Sequence, residues 1–315
     1  MKVALTLTVA ILLTSLARVE AFASNADTVK LDVTYKTTSQ GPIRLDLYYP
    51  AAPKSGDRFP LVLFTHGGGW TTGDRKIGER GVRFEGVSAL TGAGFCVASV
   101  DYRLWTKDGD TLIRDCITDA KDALRFLAKN AKEYSLDENC VFTFGDSAGG
   151  QIAQMLLLSG PDSFPGDPTL KNSRYRLVAG VSWYGPCDFE KTDLFNPDGR
   201  PGFRDRFGAR IIKTGASQEA RVAAFREVSP VNYLDANSPP LLMMQGDKDT
   251  TIPVHHAHYM KERADAAKAP VEIVIVQNSG HNWREDGGRL RPTLDEIVAK
   301  TAAFMTHQLK EARRK

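Results

Sequence analysis

The pentapeptide GDSAG at positions 145–149, which fits the pattern G-x-S-x-G, constrains the fold of this chain more than any other sequence feature. The apolar, β-like run Val141–Phe144 precedes it, and a helix-like run at 151–158 follows it. A serine between a strand and a helix needs small neighbours, because the turn that carries it is sharp and strained. Its hydroxyl is then exposed near the positive end of the helix. This context predicts that Ser147 is a nucleophile, and the alternative is a plain glycine-rich turn.

Eight β-like runs alternate with helix-like segments along the chain. The first two, joined through Gly41-Pro42, alternate apolar and polar residues and predict an antiparallel hairpin. The later runs are almost continuously apolar, as expected for parallel strands buried on both faces. We therefore predict a single α/β domain over residues 24–315, with about eight strands in a mostly parallel sheet flanked by helices. The predicted strands are Val29–Thr37, Ile43–Tyr49, Pro60–Thr65, Phe95–Val100, Val141–Phe144, Val178–Tyr184, Leu241–Gln245 and Val271–Gln277.

The helices predicted between these strands differ in what their patterns indicate. In Thr111–Tyr134 an apolar stripe runs along one face, and Lys121, Asp122 and Lys129 are expected on a solvated face opposite it. The segment 188–238 interrupts the alternation between the sixth and seventh strands and is predicted to be a small cap over the site. The other predicted helices are Glu79–Leu90, Gly149–Ser159, Val254–Ala267 and Leu294–Leu309.

A serine nucleophile needs a general base and an acid that orients the base. In an α/β fold that carries its serine on a strand-to-helix turn, the order along the chain is serine, acid, histidine. Among six histidines, His281 directly follows the eighth strand, and we predict that it is the base. Asp247 and Asp249 both follow the seventh strand. Asp249 is favoured as the acid, because Asp247 ends the strand, where an aspartate more often stabilises the turn.

The run HGGGW at 66–70 follows the third strand, where backbone N–H groups can bind an oxyanion. Glycines let the backbone approach a substrate closely. The expected donors are the amides of Gly68, Gly69 and Ala148, with His66 as a structural hydrogen-bonding residue. Three tryptophans flank the predicted catalytic loops, where they either stack on a substrate ring or pack the loops. They are Trp70, Trp183 and Trp283.

Taken together, the motifs resemble those of the hormone-sensitive-lipase-like branch of the α/β-hydrolases, and most closely its feruloyl-esterase-like carbohydrate esterases. The resemblance runs from about Thr34 to the C-terminus. It rests on HGGGW with Gly73-Asp74, DYRL at 101–104, GDSAGG at 145–150, WYGP at 183–186 with Asp188, Ser229-Pro230, Pro239-Pro240 and GDKD at 246–249. It implies the triad Ser147, Asp249 and His281, the oxyanion hole named above, and structural roles for Asp101 and Arg103.

The expected reaction is hydrolysis of a carboxylic ester through an acyl-enzyme, with no metal or organic cofactor. The expected substrates are small-molecule or polysaccharide esters that carry short acyl groups, acetyl or feruloyl. A serine peptidase of the prolyl-oligopeptidase type and a lipase share the triad and stay as alternatives. A non-catalytic binding module is disfavoured because all three triad residues are present.

The N-terminus has the pattern of a secretory signal: Lys2, an apolar run at 3–13, and small residues Ala21 and Ala23 before a predicted cleavage site. Residues 1–23 are therefore predicted to be removed, and the protein to be secreted or periplasmic; the alternative is an uncleaved anchor. No other segment is long and apolar enough to span a membrane. With 41 basic and 38 acidic residues the chain is too nearly neutral to indicate a nucleic-acid partner, and nothing in it indicates an oligomeric state.

Export would permit disulfides, and four cysteines are present: Cys96, Cys116, Cys140 and Cys187. A Cys116–Cys187 bridge is conceivable, because both residues are expected near one edge of the sheet. Three histidines, His255, His256 and His258, begin a helix. His255 and His258 share a face, but a solvated helix start is favoured over a metal pair because no third ligand motif accompanies them.

Overall fold

One twisted sheet of eight strands organises the protein in the computed structural model, which describes residues 28–51, 56–201 and 205–314. The strands are β1 Val29–Thr38, β2 Gly41–Tyr48, β3 Phe59–Thr65, β4 Cys96–Val100, β5 Leu136–Asp146, β6 Leu177–Trp183, β7 Leu241–Gly246 and β8 Val271–Val276. Their order in the sheet is β1-β2-β4-β3-β5-β6-β7-β8. The β1–β2 hairpin joins the sheet through an antiparallel β2–β4 pair, and all later pairs are parallel.

Helices cover both faces of this sheet, because successive side chains of a strand point to opposite sides. In β7, Leu242 and Met244 join the core under the helices at 82–92 and 294–314, whereas Leu241 and Met243 pack toward the helices at 148–158 and 255–267. The predicted α/β architecture is confirmed, and every long predicted element lies within a few residues of its expected position. The helices are α1 Val82–Gly92, α2 Ile113–Lys129, α3 Ala148–Leu158, α4 Gly208–Ile211, α5 Gln218–Glu227, α6 His255–Ala267 and α7 Leu294–Arg314.

Two residues of the charged face of α2, Lys121 and Asp122, are buried, so the prediction that this face is solvated was wrong for them, whereas Lys129 is exposed. Asp122 accepts hydrogen bonds from Lys36 Nζ at 2.6 Å and from Arg125 Nη1 at 2.9 Å. Lys121 donates to the carbonyls of Ser159 and Gly160. The loop after α3 covers this side of the helix, so the charges are tied to partners rather than to water.

The segment between β6 and β7, predicted as a cap, contains α4, α5 and two short 3₁₀ helices. Its aromatic side chains form a cluster over the carboxyl end of the sheet, with Phe207 between Phe195 and Trp70 at ring-centroid distances of 5.1 and 5.5 Å. These contacts continue the hydrophobic core that lies under α2 and α3. The segment is thereby fixed to the loop that follows β3.

All four cysteines are buried and free, so the conceivable Cys116–Cys187 bridge does not form. The thiol of Cys116 lies against the carbonyls of Arg103 and Leu112, whereas Cys187 lies against His256. The predicted signal segment, residues 1–23, lies outside the described residues. Within the described ranges, no helix is both long enough and apolar enough to cross a membrane.

Candidate active site

Ser147 occupies the sharp turn that its sequence context predicted. It follows β5 directly and has a left-handed backbone, with φ 54° and ψ −118°, before α3 begins at Ala148. A non-glycine residue in this conformation is strained and needs its surroundings to hold it there. The Ser147 N–H donates to the carbonyl of Trp183 at 2.9 Å, which fixes the turn to the neighbouring strand β6.

The loops after β7 and β8 bring the other two predicted triad residues to this serine. His281 Nε2 lies 2.9 Å from Ser147 Oγ, and His281 Nδ1 lies 2.7 Å from Asp249 Oδ2. Since Nδ1 carries the proton donated to the carboxylate, Nε2 is free to accept the serine proton. The three side chains form a continuous chain of hydrogen bonds at the carboxyl end of the sheet.

Of the two candidate aspartates, Asp249 lies against His281, whereas the side chain of Asp247 contacts the loop after β8. Asp249 Oδ1 accepts the N–H groups of Thr251 and Ile252 at 2.8 and 2.9 Å, and its Oδ2 also accepts from Gln245 Nε2 at 3.1 Å. These donors fix the orientation of the carboxylate toward His281. Asp247 Oδ1 instead accepts the N–H of Ser279, two residues before His281.

The glycine loop after β3 lies directly beside the serine. Gly68 and Gly69 both have a positive φ, 120° and 61°. A Cβ on Gly68 would lie 2.0 Å from the carbonyl oxygen of Thr72, so only glycine fits there. Gly68, Gly69 and Ala148 border the same cavity as Ser147, as the predicted oxyanion hole requires.

Asp146 links this loop to the turn that carries the serine. Its Oδ1 accepts the N–H of Gly67 at 2.9 Å, and Arg83 lies 3.3 Å from the same oxygen. His66, at the start of the loop, is held by Tyr102. The two rings stack with their centroids 4.3 Å apart, and the Tyr102 hydroxyl donates to the His66 carbonyl at 2.6 Å. Burial lowers the pKa of His66, which keeps the ring neutral and structural.

Asp101 and Arg103 have the structural positions that the family resemblance implied. Asp101 accepts from the backbone N–H of Arg75 at 2.8 Å and from its Nη1 at 2.7 Å. Arg103 forms a bidentate ion pair with Asp119 of α2, with Nε and Nη2 donating to the two carboxylate oxygens at 2.7 and 2.9 Å. Both contacts fix the loop after β4.

The three tryptophans are buried against protein, and Trp70 also borders the cavity beside Ser147. Trp70, Trp183 and Trp283 are 1, 0 and 5% exposed. The indole N–H of Trp183 donates to Thr301 Oγ1 at 3.0 Å, on the opposite face of the sheet from the cap. Trp283 packs edge-on against Tyr184, whose ring in turn contacts His281 at 4.9 Å. Their ring faces are therefore covered by protein.

The cavity beside the triad, about 380 Å³, contains residues that the sequence patterns did not indicate. Three arginines border it: Arg83 from α1, and Arg206 and Arg210 from the segment between β6 and β7. Arg210 Nη1 donates to the Gly69 carbonyl at 2.9 Å, so the segment contacts the glycine loop directly. None of these arginines belongs to a recognisable motif, and only the folded chain places them together.

The histidines at the start of α6 separate into two kinds. His255 and His258 are exposed with ring centroids 6.5 Å apart. His256 is fully buried, contrary to the expectation of a solvated helix start, because it packs against Phe195 and its Nδ1 accepts the N–H of Cys187. Among the described residues no cluster of three or more potential metal ligands occurs.

A strained serine after β5, an acid after β7 and a histidine after β8, on a sheet of this topology, define an α/β-hydrolase with a serine–histidine–aspartate triad. Within that class the chain belongs to the BD-FAE family, whose model matches residues 45–264, in the hormone-sensitive-lipase-like branch.

Individual relatives agree with this placement. The chain is 34% identical over 257 residues to Esterase LipI of Mycobacterium tuberculosis, a match that covers 77% of this chain and 71% of LipI. It is 29% identical over 246 residues to Esterase LipC of the same organism, covering 76% of this chain and 57% of LipC. The chain spans about half the length of several such relatives, 49% for the probable carboxylic ester hydrolase LipM.

Solved structures share the fold. A truncated carbohydrate esterase from gut microbiota superposes with a TM-score of 0.74 at 21% identity, covering 90% of this chain and 96% of that chain. The butyrate-bound esterase Est2 of Thermogutta terrifontis superposes with a TM-score of 0.66 at 23% identity, covering 90 and 93%. At these identities the likeness concerns the fold.

Proposed function

We propose that the protein is a serine carboxylic-ester hydrolase that acts through an acyl-enzyme. The observation that carries this proposal is the hydrogen-bonded relay from Ser147 Oγ through His281 to Asp249, with distances of 2.9 and 2.7 Å, at the edge of an open cavity. Family membership and relatives that are named esterases support it.

Each step of the reaction follows from the positions of these side chains. His281 Nε2 removes the Ser147 proton as the oxygen attacks the ester carbonyl, and the resulting oxyanion is bound by the amides of Gly68, Gly69 and Ala148. The protonated imidazole, stabilised by Asp249, then gives its proton to the leaving alcohol. Water attacks the acyl-enzyme by the same route in reverse and releases the acid and the free serine.

For the substrate we propose short acyl esters of carbohydrates, with acetyl or feruloyl groups. The cavity of about 380 Å³ beside the serine lies in the size range of small-molecule sites and accommodates a short acyl group. A structural neighbour that is itself a carbohydrate esterase points the same way. A lipase would favour long acyl chains, and a peptidase would cleave amides.

Paired substrates and a serine variant test the proposal. Wild type and Ser147→Ala are compared on acetylated xylan, methyl ferulate, 4-nitrophenyl acetate, 4-nitrophenyl decanoate and a peptide amide. Ser88→Ala is a matched control, because Ser88 lies half-buried on α1 and does not border the cavity. We expect release of acetate or ferulate that is lost only in Ser147→Ala.

The pattern of activity decides between the alternatives. Preference for the decanoate would make the protein a lipase, and cleavage of the amide would make it a peptidase. Activity on small esters alone would keep the mechanism and remove the carbohydrate assignment. No Ser147-dependent activity on any of these compounds would refute ester hydrolysis.

We also propose that the protein is exported, on the strength of its N-terminal sequence pattern. Sequencing the N-terminus of the protein recovered outside the cytoplasm tests this. A mature chain that begins near Ser24 is expected, and an intact Met1 in a membrane fraction would refute it.

A further inference from the structure

The charge of the catalytic cavity is strongly one-sided. Three guanidinium groups border it, those of Arg83, Arg206 and Arg210, against the single carboxylate of Asp146. Arg83 is paired with that carboxylate at 3.3 Å. Among the residues that border the cavity, Arg206 and Arg210 are therefore left without a carboxylate to balance them.

Neither of these two arginines has an acidic partner among the ion pairs of the described residues. Arg206 Nη2 donates to the Thr251 carbonyl at 3.2 Å, and Arg210 Nη1 donates to the Gly69 carbonyl at 2.9 Å. Both guanidiniums also lie over the ring of Phe207. A guanidinium has five N–H donors, and the contacts described use one nitrogen of each, so further donors are available in the cavity.

Arg206 is exposed and Arg210 is half-buried, and their like charges repel each other. Burial and the neighbouring Arg206 lower the pKa of Arg210, and the carboxylate of Asp205 opposes this shift only in part. The two carbonyl contacts fix the guanidiniums at the rim of the cavity, one beside the glycine loop and the other beside the Asp249 loop. An anionic oxygen group placed between them would satisfy their free donors and relieve the repulsion.

We propose that the cavity recognises esters that carry an anionic oxygen group, a carboxylate or a sulfate, in addition to the ester that is cleaved, and that Arg206 and Arg210 bind this group. The inference rests on the proposed ester hydrolysis and defines its substrate class more narrowly. Arginine suits this role because its planar fork binds such groups through two parallel hydrogen bonds. The positive cavity also raises the local concentration of anionic substrates.

Matched ester pairs that differ in charge test this proposal. On the alcohol side, 4-acetoxybenzoate and 4-acetoxybenzenesulfonate are compared with the neutral 4-acetoxybenzamide. On the acyl side, the 4-nitrophenyl monoester of adipate is compared with its neutral adipamate analogue. The readout is the ratio of kcat/KM for the anionic ester to that for the neutral one, measured in wild type, Arg206→Gln, Arg210→Gln and the double variant.

In wild type we expect a ratio of about tenfold or more in at least one of the two series, as a charge-assisted hydrogen bond provides. The ratio should fall toward one in the double variant, be partly kept by Arg206→Lys and Arg210→Lys, and decrease with added salt. The larger of the carboxylate and sulfonate ratios identifies the preferred group. Arg226→Gln, an exposed arginine of α5 outside the cavity, controls for net charge and should leave the ratio unchanged.

Inhibition of wild type provides a second measurement that needs no variant to fold. Hydrolysis of a neutral ester should be inhibited at least about tenfold more strongly by 4-hydroxybenzoate or 4-hydroxybenzenesulfonate than by 4-hydroxybenzamide, if the alcohol side carries the anion. Ratios near one in both ester series, or ratios unchanged in the double variant, would overturn the inference. If wild type still cleaves the neutral esters in that case, the proposed ester hydrolysis stands. If wild type cleaves none of the esters, both proposals are refuted.

Discussion

Adding one methyl group at Gly149 should disable the site while leaving the fold in place. Gly149 is the second residue of α3, and a Cβ built on it would lie 1.9 Å from the carbonyl oxygen of Thr65. Real Cβ atoms essentially never approach such an atom within 3.0 Å, so α3 and the end of β3 must separate by about 1.1 Å. Thr65 leads directly into the glycine loop, so this separation moves Gly68 and Gly69 away from Ser147.

A misplacement of about 1 Å at a reacting centre costs on the order of 100-fold in rate. We therefore expect Gly149→Ala to lower kcat/KM on 4-nitrophenyl acetate by about 100-fold or more. Overpacking should also lower the free energy of unfolding by about 1–3 kcal/mol. Thermal unfolding and circular dichroism, measured on the same preparation, show whether the lost activity comes from folded protein.

Gly92→Ala is the matched control, because it makes the same chemical change where a Cβ would meet nothing within 4 Å. This exposed residue ends α1, and its substitution should leave kcat/KM unchanged. A folded Gly149→Ala protein with wild-type kcat/KM would show that the contact between α3 and β3 does not set the geometry of the oxyanion hole.

Two further predictions concern single side chains. Asp249→Asn should lower kcat by about 10⁴-fold, because an amide no longer fixes the His281 tautomer, and should leave the far-ultraviolet spectrum unchanged; a loss below about tenfold would contradict the assigned role of Asp249. Burial lowers the pKa of His256 to about 3, well below its unfolded value, so the unfolded chain binds one more proton between about pH 6.5 and 3. Relative to His256→Asn, the free energy of unfolding of wild type should therefore fall with decreasing pH through that window, by up to about 1.4 kcal/mol per pH unit. Urea titrations at several pH values measure it, and the same pH dependence in both proteins would refute the prediction.

The sheet and the triad could be predicted from the sequence because both depend on local sequence patterns. Apolar runs of strand length are bounded by turn residues, and the strand-to-helix turn around Ser147 has a distinctive composition. His281 and Asp249 could be placed because each lies a few residues after a strand whose end is evident from the sequence. Parallel strands bring their carboxyl ends to one edge, so the order of the strands is enough to bring these residues together.

The residues that sequence reasoning missed depend on tertiary contacts. Lys121 and Asp122 have the spacing of a solvated helix face, and only the loop after α3 and the side chain of Lys36 bury them. Arg206 and Arg210 lie in an irregular segment whose path over the sheet has no periodic signal. The roles of the three tryptophans were left open, because an aromatic residue beside a catalytic loop has the same pattern whether it packs inward or faces the substrate.

The distance along the chain between the two reacting residues gives this enzyme fold a further property. Ser147 and His281 are 134 positions apart, and β6, β7 and β8 must all pair in order before their side chains meet. Contacts of such long sequence separation form late, because the entropy of closing the intervening chain must be overcome first. Hydrolytic activity therefore reports that folding is complete. During refolding, the far-ultraviolet circular dichroism of the helices should return before the hydrolytic activity does.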